Sequence, residues 1–255
     1  MSKQRLNRDG CWEDRILLEG PQTRWRDLAL VLRSVRDFIR GFRALTFAGP
    51  CVTVFGSARF GKGHEYYKLG RRLGAGLSHL GFTVMTGGGP GLMEAANRGA
   101  KEAGGRSVAC NISLPTQEQS NQYLDRSVTV HYFFVRKVLL FKYSYGFVAL
   151  PGGFGTMDEL FEALTLVQTG KIRNFPIVLM GTEYWKRLFH LVQNMADERA
   201  IEPGEIDTWL ITDNLNQALE HIRKYAIDEF GLRRRRRPRP SRLLGESRVP
   251  DSTIS

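Results

Sequence analysis

From Cys51 to Ile211 the sequence repeats one unit: a short apolar run rich in β-branched residues, a glycine-bearing turn, then apolar residues at helical spacing. The runs are Cys51 to Phe55, Phe82 to Met85, Ser107 to Ile112, Val128 to Phe134, Phe147 to Leu150, Phe175 to Met180 and a short one at Trp209 to Ile211. Between and after them, residues 66–80, 92–103, 134–145, 184–195 and 214–230, with the stretch following Glu159, carry helical periodicity. Strands that alternate with helices across short turns cannot pair as hairpins. The pattern predicts an α/β fold, a Rossmann-like doubly wound parallel sheet with helices on both faces.

That unit occupies residues 47–230 and predicts one domain, preceded by a helical extension over 1–46 and followed by an arginine-rich tail over 231–255. In the extension, Leu28, Leu32, Val35, Phe38, Ile39, Phe42 and Leu45 recur at spacings of three and four, an amphipathic helix expected to pack outside the domain or against a second subunit. The tail holds eight arginines against Glu246 and Asp251 and supplies +6 of the net charge of +11. With Pro238, Pro240 and Pro250 and little to pack, it reads as disordered. A solvated tail is the simpler reading. Salt-sensitive contact of this basic tail with nucleic acid stays possible but unsupported.

No apolar stretch is long enough to cross a bilayer, and the polar opening MSKQRLNRDG does not resemble a signal peptide. Cys11, Cys51 and Cys110 are too few and too scattered for a disulfide framework. The expectation is a cytoplasmic protein without membrane association. The five histidines show no metal-ligand spacing, so neither a metal nor a cofactor is predicted.

Three glycine-bearing turns fall at strand ends: Gly56-Ser57-Ala58-Arg59, Thr86 to Gly91 (including Gly88 and Gly89), and Pro151 to Thr156. In an open α/β sheet, ligands bind beyond the carboxyl ends of the strands, so the three are expected to converge on one crevice. Residues 56–63 keep the spacing of a nucleoside-triphosphate loop, but Gly63 stands where a magnesium-binding hydroxyl is needed. Residues 87–94, GGGPGLME, miss the dinucleotide fingerprint. A nucleoside monophosphate suits the set better. In PGGFGTMDE, residues 151–159, Gly152, Gly153 and Gly155 let backbone amides approach an anion at a helix start, and Thr156 adds a hydroxyl.

Glu159 adds a carboxylate to a helix that should hold phosphate, and Glu94 does the same after GGGPG. The plain reading of either is an acid that complements a helix dipole; the functional one is a group that binds sugar hydroxyls. Arg136 and Lys137 lie early in their own helix, where cations oppose the dipole unless an anion is near.

GGGPGLMEAAN (Gly87 to Asn97), FFVRK (Phe133 to Lys137) and PGGFGTMDE resemble the LOG (Lonely Guy) family over roughly residues 50–225. These are cytokinin riboside 5'-monophosphate phosphoribohydrolases, related to nucleoside-monophosphate nucleosidases and labelled in older descriptions as possible lysine decarboxylases. The resemblance implies hydrolysis of an N-glycosidic bond, releasing free base and ribose 5-phosphate, with Arg136 and Glu159 as the catalytic pair. Gly152, Gly153, Gly155 and Thr156 would hold the 5'-phosphate, while Glu94, Lys137 and Thr165 would contact substrate beside Gly56, Ser57, Gly88 and Gly89. It also implies a homodimer.

The GLME form and the 46-residue extension resemble the longer, type II branch, which makes AMP a competitor for a prenylated nucleotide. A non-catalytic nucleotide-binding module of the same fold is the alternative function. The decarboxylase label fits poorly, because Lys101 and Lys137 lack the setting of a Schiff-base lysine.

Overall fold

The computed structural model describes residues 20, 23–114, 120–173, 175–202, 204, 209–229, 240–241 and 247. A helix, α1 (Arg24–Leu45), precedes β1 (Cys51–Phe55), α2 (Glu65–His79), β2 (Thr83–Thr86), α3 (Leu92–Glu102), β3 (Ser107–Ile112) and β4 (Arg126–Val130). Then come α4 (Phe133–Tyr143), β5 (Ser144–Ala149), α5 (Phe154–Gln168), β6 (Ile177–Leu179), α6 (Thr182–Asp197), β7 (Trp209–Ile211) and α7 (Leu215–Ile222). A π-helical segment, Arg223–Glu229, continues α7, where the sequence predicts one uninterrupted helix. Nearly all of the tail, and Cys11, lie outside the described residues.

The seven strands form one sheet in the order β4-β3-β2-β1-β5-β6-β7, and every pair is parallel. Alternation along the strands divides the core. Cys51, Phe55, Met85, Val108, Cys110 and Phe147 face one side with Leu139 and Leu140 of α4, Leu160 and Ala163 of α5 and Trp185 of α6. Val52, Val54, Val84, Val148 and Val178 face the other with Leu73 and Leu77 of α2, Leu92 and Ala95 of α3 and Ala218 of α7. The doubly wound sheet that the sequence predicts is therefore the one observed. Strands β1 to β4 are laid down outward in one direction and β5 to β7 in the other, so the strand order reverses between β1 and β5, whose carboxyl ends form the switch point. Cys51 and Cys110 are unbridged, and burial pushes both thiols up to about 12, so they remain protonated.

Helix α1 rests on α4 through small and polar residues and leaves most of its apolar stripe uncovered. The side turned inward carries Ser34, Asp37, Gly41 and Leu45, whereas Leu28, Leu32, Val35 and Ile39 of the predicted stripe are exposed. Close approach explains the choice: a Cβ on Gly41 would lie 2.3 Å from Cδ1 of Leu139, so only glycine lets α1 settle on α4 at this distance.

Helices α2 and α3 meet in the same way. A Cβ on Gly74 would stand 2.0 Å from the Ala96 carbonyl oxygen, and one on Gly99 would stand 1.8 Å from that of Arg71. These neighbours are backbone and cannot rotate aside. Gly99→Ala, which raises helix propensity by about 1 kcal/mol, is nonetheless expected to destabilise the fold by about 1–3 kcal/mol, read as a lower urea midpoint. An unchanged or higher midpoint would show that the helices are free to separate.

Candidate active site

Three strand-end loops are stitched together by backbone hydrogen bonds. The Ser57 N–H, just past β1, donates to the Pro151 carbonyl past β5 (3.0 Å), and the Ser57 carbonyl accepts from the Leu92 N–H at the start of α3 (2.9 Å). Gly91 makes that second contact possible, because its φ is +68° and a Cβ there would meet Ser57 O at 2.4 Å. The three glycine-bearing turns are thus joined through their backbones, but only two of them open onto the crevice where all three are expected.

The turns do different work. The first and third open onto a cavity of about 680 Å³ at the switch point, lined by Gly56, Ser57, Arg136, Gly152, Gly153, Gly155, Thr156 and Glu159 among others. That volume lies in the ordinary range of small-molecule sites. The second turn lies behind this wall. A Cβ on Gly87 would sit 2.2 Å from a terminal nitrogen of the Arg136 guanidinium, so the absent side chain is what admits Arg136. Gly88, at φ +79°, is packed on Asn111, and the carbonyls of Gly88 and Gly89 each accept from the Asn121 amide at 3.2 Å. A buried chain of polar groups holds the turn: Thr86 donates to Asn97 (2.6 Å), which donates to Ser107 (2.8 Å).

The third turn presents an open helix end. Gly153 caps α5 without a side-chain hydrogen bond, and no acid stands in the first turn. The Thr156 and Met157 amides turn back to the Gly153 carbonyl (both 3.0 Å), leaving those of Phe154 and Gly155 at the positions where a helix N-terminus holds an anion. Gly152 is fixed by sterics, since a Cβ there would collide with the Thr156 hydroxyl, whereas Gly153 and Gly155 face open space. Their lack of side chains keeps backbone exposed to the cavity.

Glu159 lies in the second turn of α5, only 4% exposed, and its Oε2 has no hydrogen-bond partner. Burial pushes the carboxyl up to about 7; the charges of Arg136 and Lys137 pull it back down only in part. An acid that merely complemented the dipole would sit exposed in the first turn, so the plain reading of Glu159 fails. Arg136 spends one donor on the fold, Nε to the Cys110 carbonyl at 3.1 Å, and its guanidinium edges the same cavity.

Other predicted residues stand apart from the lining. Glu94 accepts from the Tyr67 hydroxyl (2.8 Å) and lies 3.6 Å from Lys62. Lys137 turns to Asp158 (2.8 Å) and Glu162 (2.9 Å) on α5. Thr165 bonds its own helix at the Phe161 carbonyl and borders a separate apolar hollow beside Trp209. Arg59, in the first of the predicted turns, lines the cavity, and the sequence reading did not single out Phe60, Met93, Phe154, Met157 and Tyr184, which line it too. Tyr184, whose hydroxyl donates to the Gly152 carbonyl, follows the glycine turn after β6, and that turn was a legible signal.

Known proteins share this sequence pattern and fold. The family model described as possible lysine decarboxylase matches residues 93–222. A cytokinin riboside 5'-monophosphate phosphoribohydrolase of Rhodococcoides fascians is 31% identical over 176 residues, 68% of this chain and 88% of that protein. The probable cytokinin riboside 5'-monophosphate phosphoribohydrolase LOG4 of Oryza sativa subsp. japonica is 29% identical over 183 residues, 70% of this chain and 79% of its own. Among solved structures, the structural genomics target TM1055 aligns at a TM-score of 0.53 and 26% identity, covering 68% of this chain and 98% of that one. The molybdenum cofactor binding protein of Rippkaea orientalis aligns at 0.52 over 69% and 96%, and at 22% identity that likeness speaks for the fold alone. The chain belongs to the LOG family.

Proposed function

We propose that this protein hydrolyses the N-glycosidic bond of a nucleoside 5'-monophosphate, releasing the base and ribose 5-phosphate. The observation that carries the proposal is the unpartnered oxygen of a buried carboxyl, held beside an uncapped helix N-terminus in one cavity. The names of the relatives support the same reaction class.

In this reading the 5'-phosphate binds the amides after Gly153 and the Thr156 hydroxyl, and the apolar walls from Phe60 and Met93 receive the base. Breaking the bond from C1' to the base nitrogen builds positive charge on the ribose. Glu159 faces that charge, binds the ribose hydroxyls through its free oxygen, and takes the proton of the attacking water. A base with a pKa near the working pH suits that task. Arg136 aligns carboxylate and ribose with a planar fork of donors. The reaction so described draws on no metal or cofactor. Prenylated adenine nucleotide and AMP are the two substrates to compare. The exposed apolar face of α1, from Leu28 to Ile39, supports a homodimer as the working form.

Glu159→Gln is expected to bind AMP, or its prenylated counterpart, and to release no base in a chromatographic assay. Wild-type turnover by the variant would show that Glu159 does not have the catalytic role assigned to it, whereas no base release by the wild type itself would favour the nucleotide-binding alternative. Because the carboxylate form is the base, wild-type kcat/KM should rise with pH through about 7. The same carboxyl makes a stability prediction. Its folded pKa lies above the ordinary value of 4.5, so the folded state binds the extra proton and stability falls as pH rises from about 4.5 to 7. Glu159→Gln removes that cost, and its melting temperature should exceed wild type at pH 8, by up to about 3 kcal/mol in stability, and converge with it at pH 5. Equal melting at both values would mean that the carboxyl is not buried as described. Sedimentation at micromolar concentration should show a dimer, and a monomer alone would contradict the interface.

A further inference from the structure

Helix α1 lies wholly before residue 93, where the family model's match begins, yet it braces the helix that carries Arg136 along its whole length. Asp37 is fully buried on the inner face of α1. Its carboxylate accepts the backbone N–H of His131 at 2.8 Å and lies 2.9 Å from that residue's Nδ1. His131 joins β4 to α4 and precedes Arg136 by five residues. The N-cap residue of α4, Tyr132, contributes no side-chain cap to the helix, and no acid occupies the first turn. A carboxylate from a neighbouring helix therefore fixes the entry to a helix that does not cap itself. One turn beyond Arg136, Leu139 fits against Gly41, and at the far end the Thr46 hydroxyl lies 2.9 Å from that of Tyr143.

We propose that α1 is a positioning element for the active site, and that Asp37 is the positioning residue through which it sets Arg136 beside Glu159. The proposal rests on the hydrolase reading above. Arg136 reaches the cavity through a slot made by Gly87 and is tethered by one hydrogen bond, to Cys110. A small slide of α4 would break that tether and withdraw the guanidinium from the cavity, and displacement of a reacting group by about 1 Å can cost on the order of 100-fold in rate. Asp37 touches neither cavity nor substrate, so its whole effect runs through α4.

The test compares Asp37→Ala and Asp37→Asn with wild type in the full chain. AMP turnover gives kcat and KM separately. The Nε–H resonance of Arg136, assigned by its loss in Arg136→Lys, reports the tether without reference to catalysis. Asp37→Ala should lower kcat by about 10-fold or more, by a larger factor than it raises KM, and should shift the Arg136 resonance. Asp37→Asn keeps an oxygen acceptor for the His131 N–H and should restore both. If Asp37→Ala does not fold, Gly41→Ala substitutes for it, because its methyl group pushes on Leu139 and should produce the same two changes. Should wild type release no base from any nucleotide, the hydrolase reading fails and the resonance alone decides the positioning role. An Arg136 resonance unmoved in Asp37→Ala or Gly41→Ala, or an Asp37→Asn as impaired as Asp37→Ala, would overturn the proposal.

Discussion

Everything distinctive about this molecule depends on a carboxyl buried without a full set of partners. A carboxylate taken out of water must be paired, hydrogen-bonded or protonated. Glu159 has one oxygen unmatched and two cations near enough to attract it but not to neutralise the effect of burial. Such an arrangement lowers stability at neutral pH, and a fold keeps it when something else completes the site. The backbone amides of Phe154 and Gly155 lie little more than one turn away along the same helix, at an end with no side-chain cap. One ligand with an anionic end and hydroxyl groups would satisfy both.

The scaffold makes this juxtaposition through backbone contacts. The Ser57 amide and carbonyl tie together the loops after β1, β2 and β5. Gly87 and Gly91 allow those loops to lie within van der Waals reach of Arg136 and of one another. The glycines of the second turn are therefore structural in effect, admitting the arginine and packing on Asn111, while those of the third keep the helix end bare. Two glycine-rich segments that look alike in sequence do opposite kinds of work.

The fold was legible because most of the strands are apolar runs followed by a turn and a helical period, although the edge strand β4 alternates buried and exposed residues; that pattern has few solutions other than a covered parallel sheet. The sequence also pointed to Arg136, a cation early in a helix, and to Glu159, an acid in a helix whose start should hold phosphate, and the family resemblance paired them. What it hid depended on which way a face turns. In α1 the apolar stripe is plain in the sequence, but the face turned to α4 is set by Gly41 and Asp37, whose partners Leu139 and His131 lie about a hundred residues on. Glu94 and Lys137 looked like ligand contacts because of where they fall in their helices, yet Tyr67 and the α5 acids hold them away from the cavity. Tyr184 was missed because its turn carries a single glycine, although it closes over Gly152.

The central claim is spatial: one ligand spans the open end of α5 and the free oxygen of Glu159. The most direct measurement is a crystal structure of Glu159→Gln with AMP bound. The predicted result is phosphate on the amides of Phe154 and Gly155, with a ribose hydroxyl within hydrogen-bonding distance of the residue-159 side chain. Phosphate lodged elsewhere, or a ribose out of reach of that side chain, would contradict it.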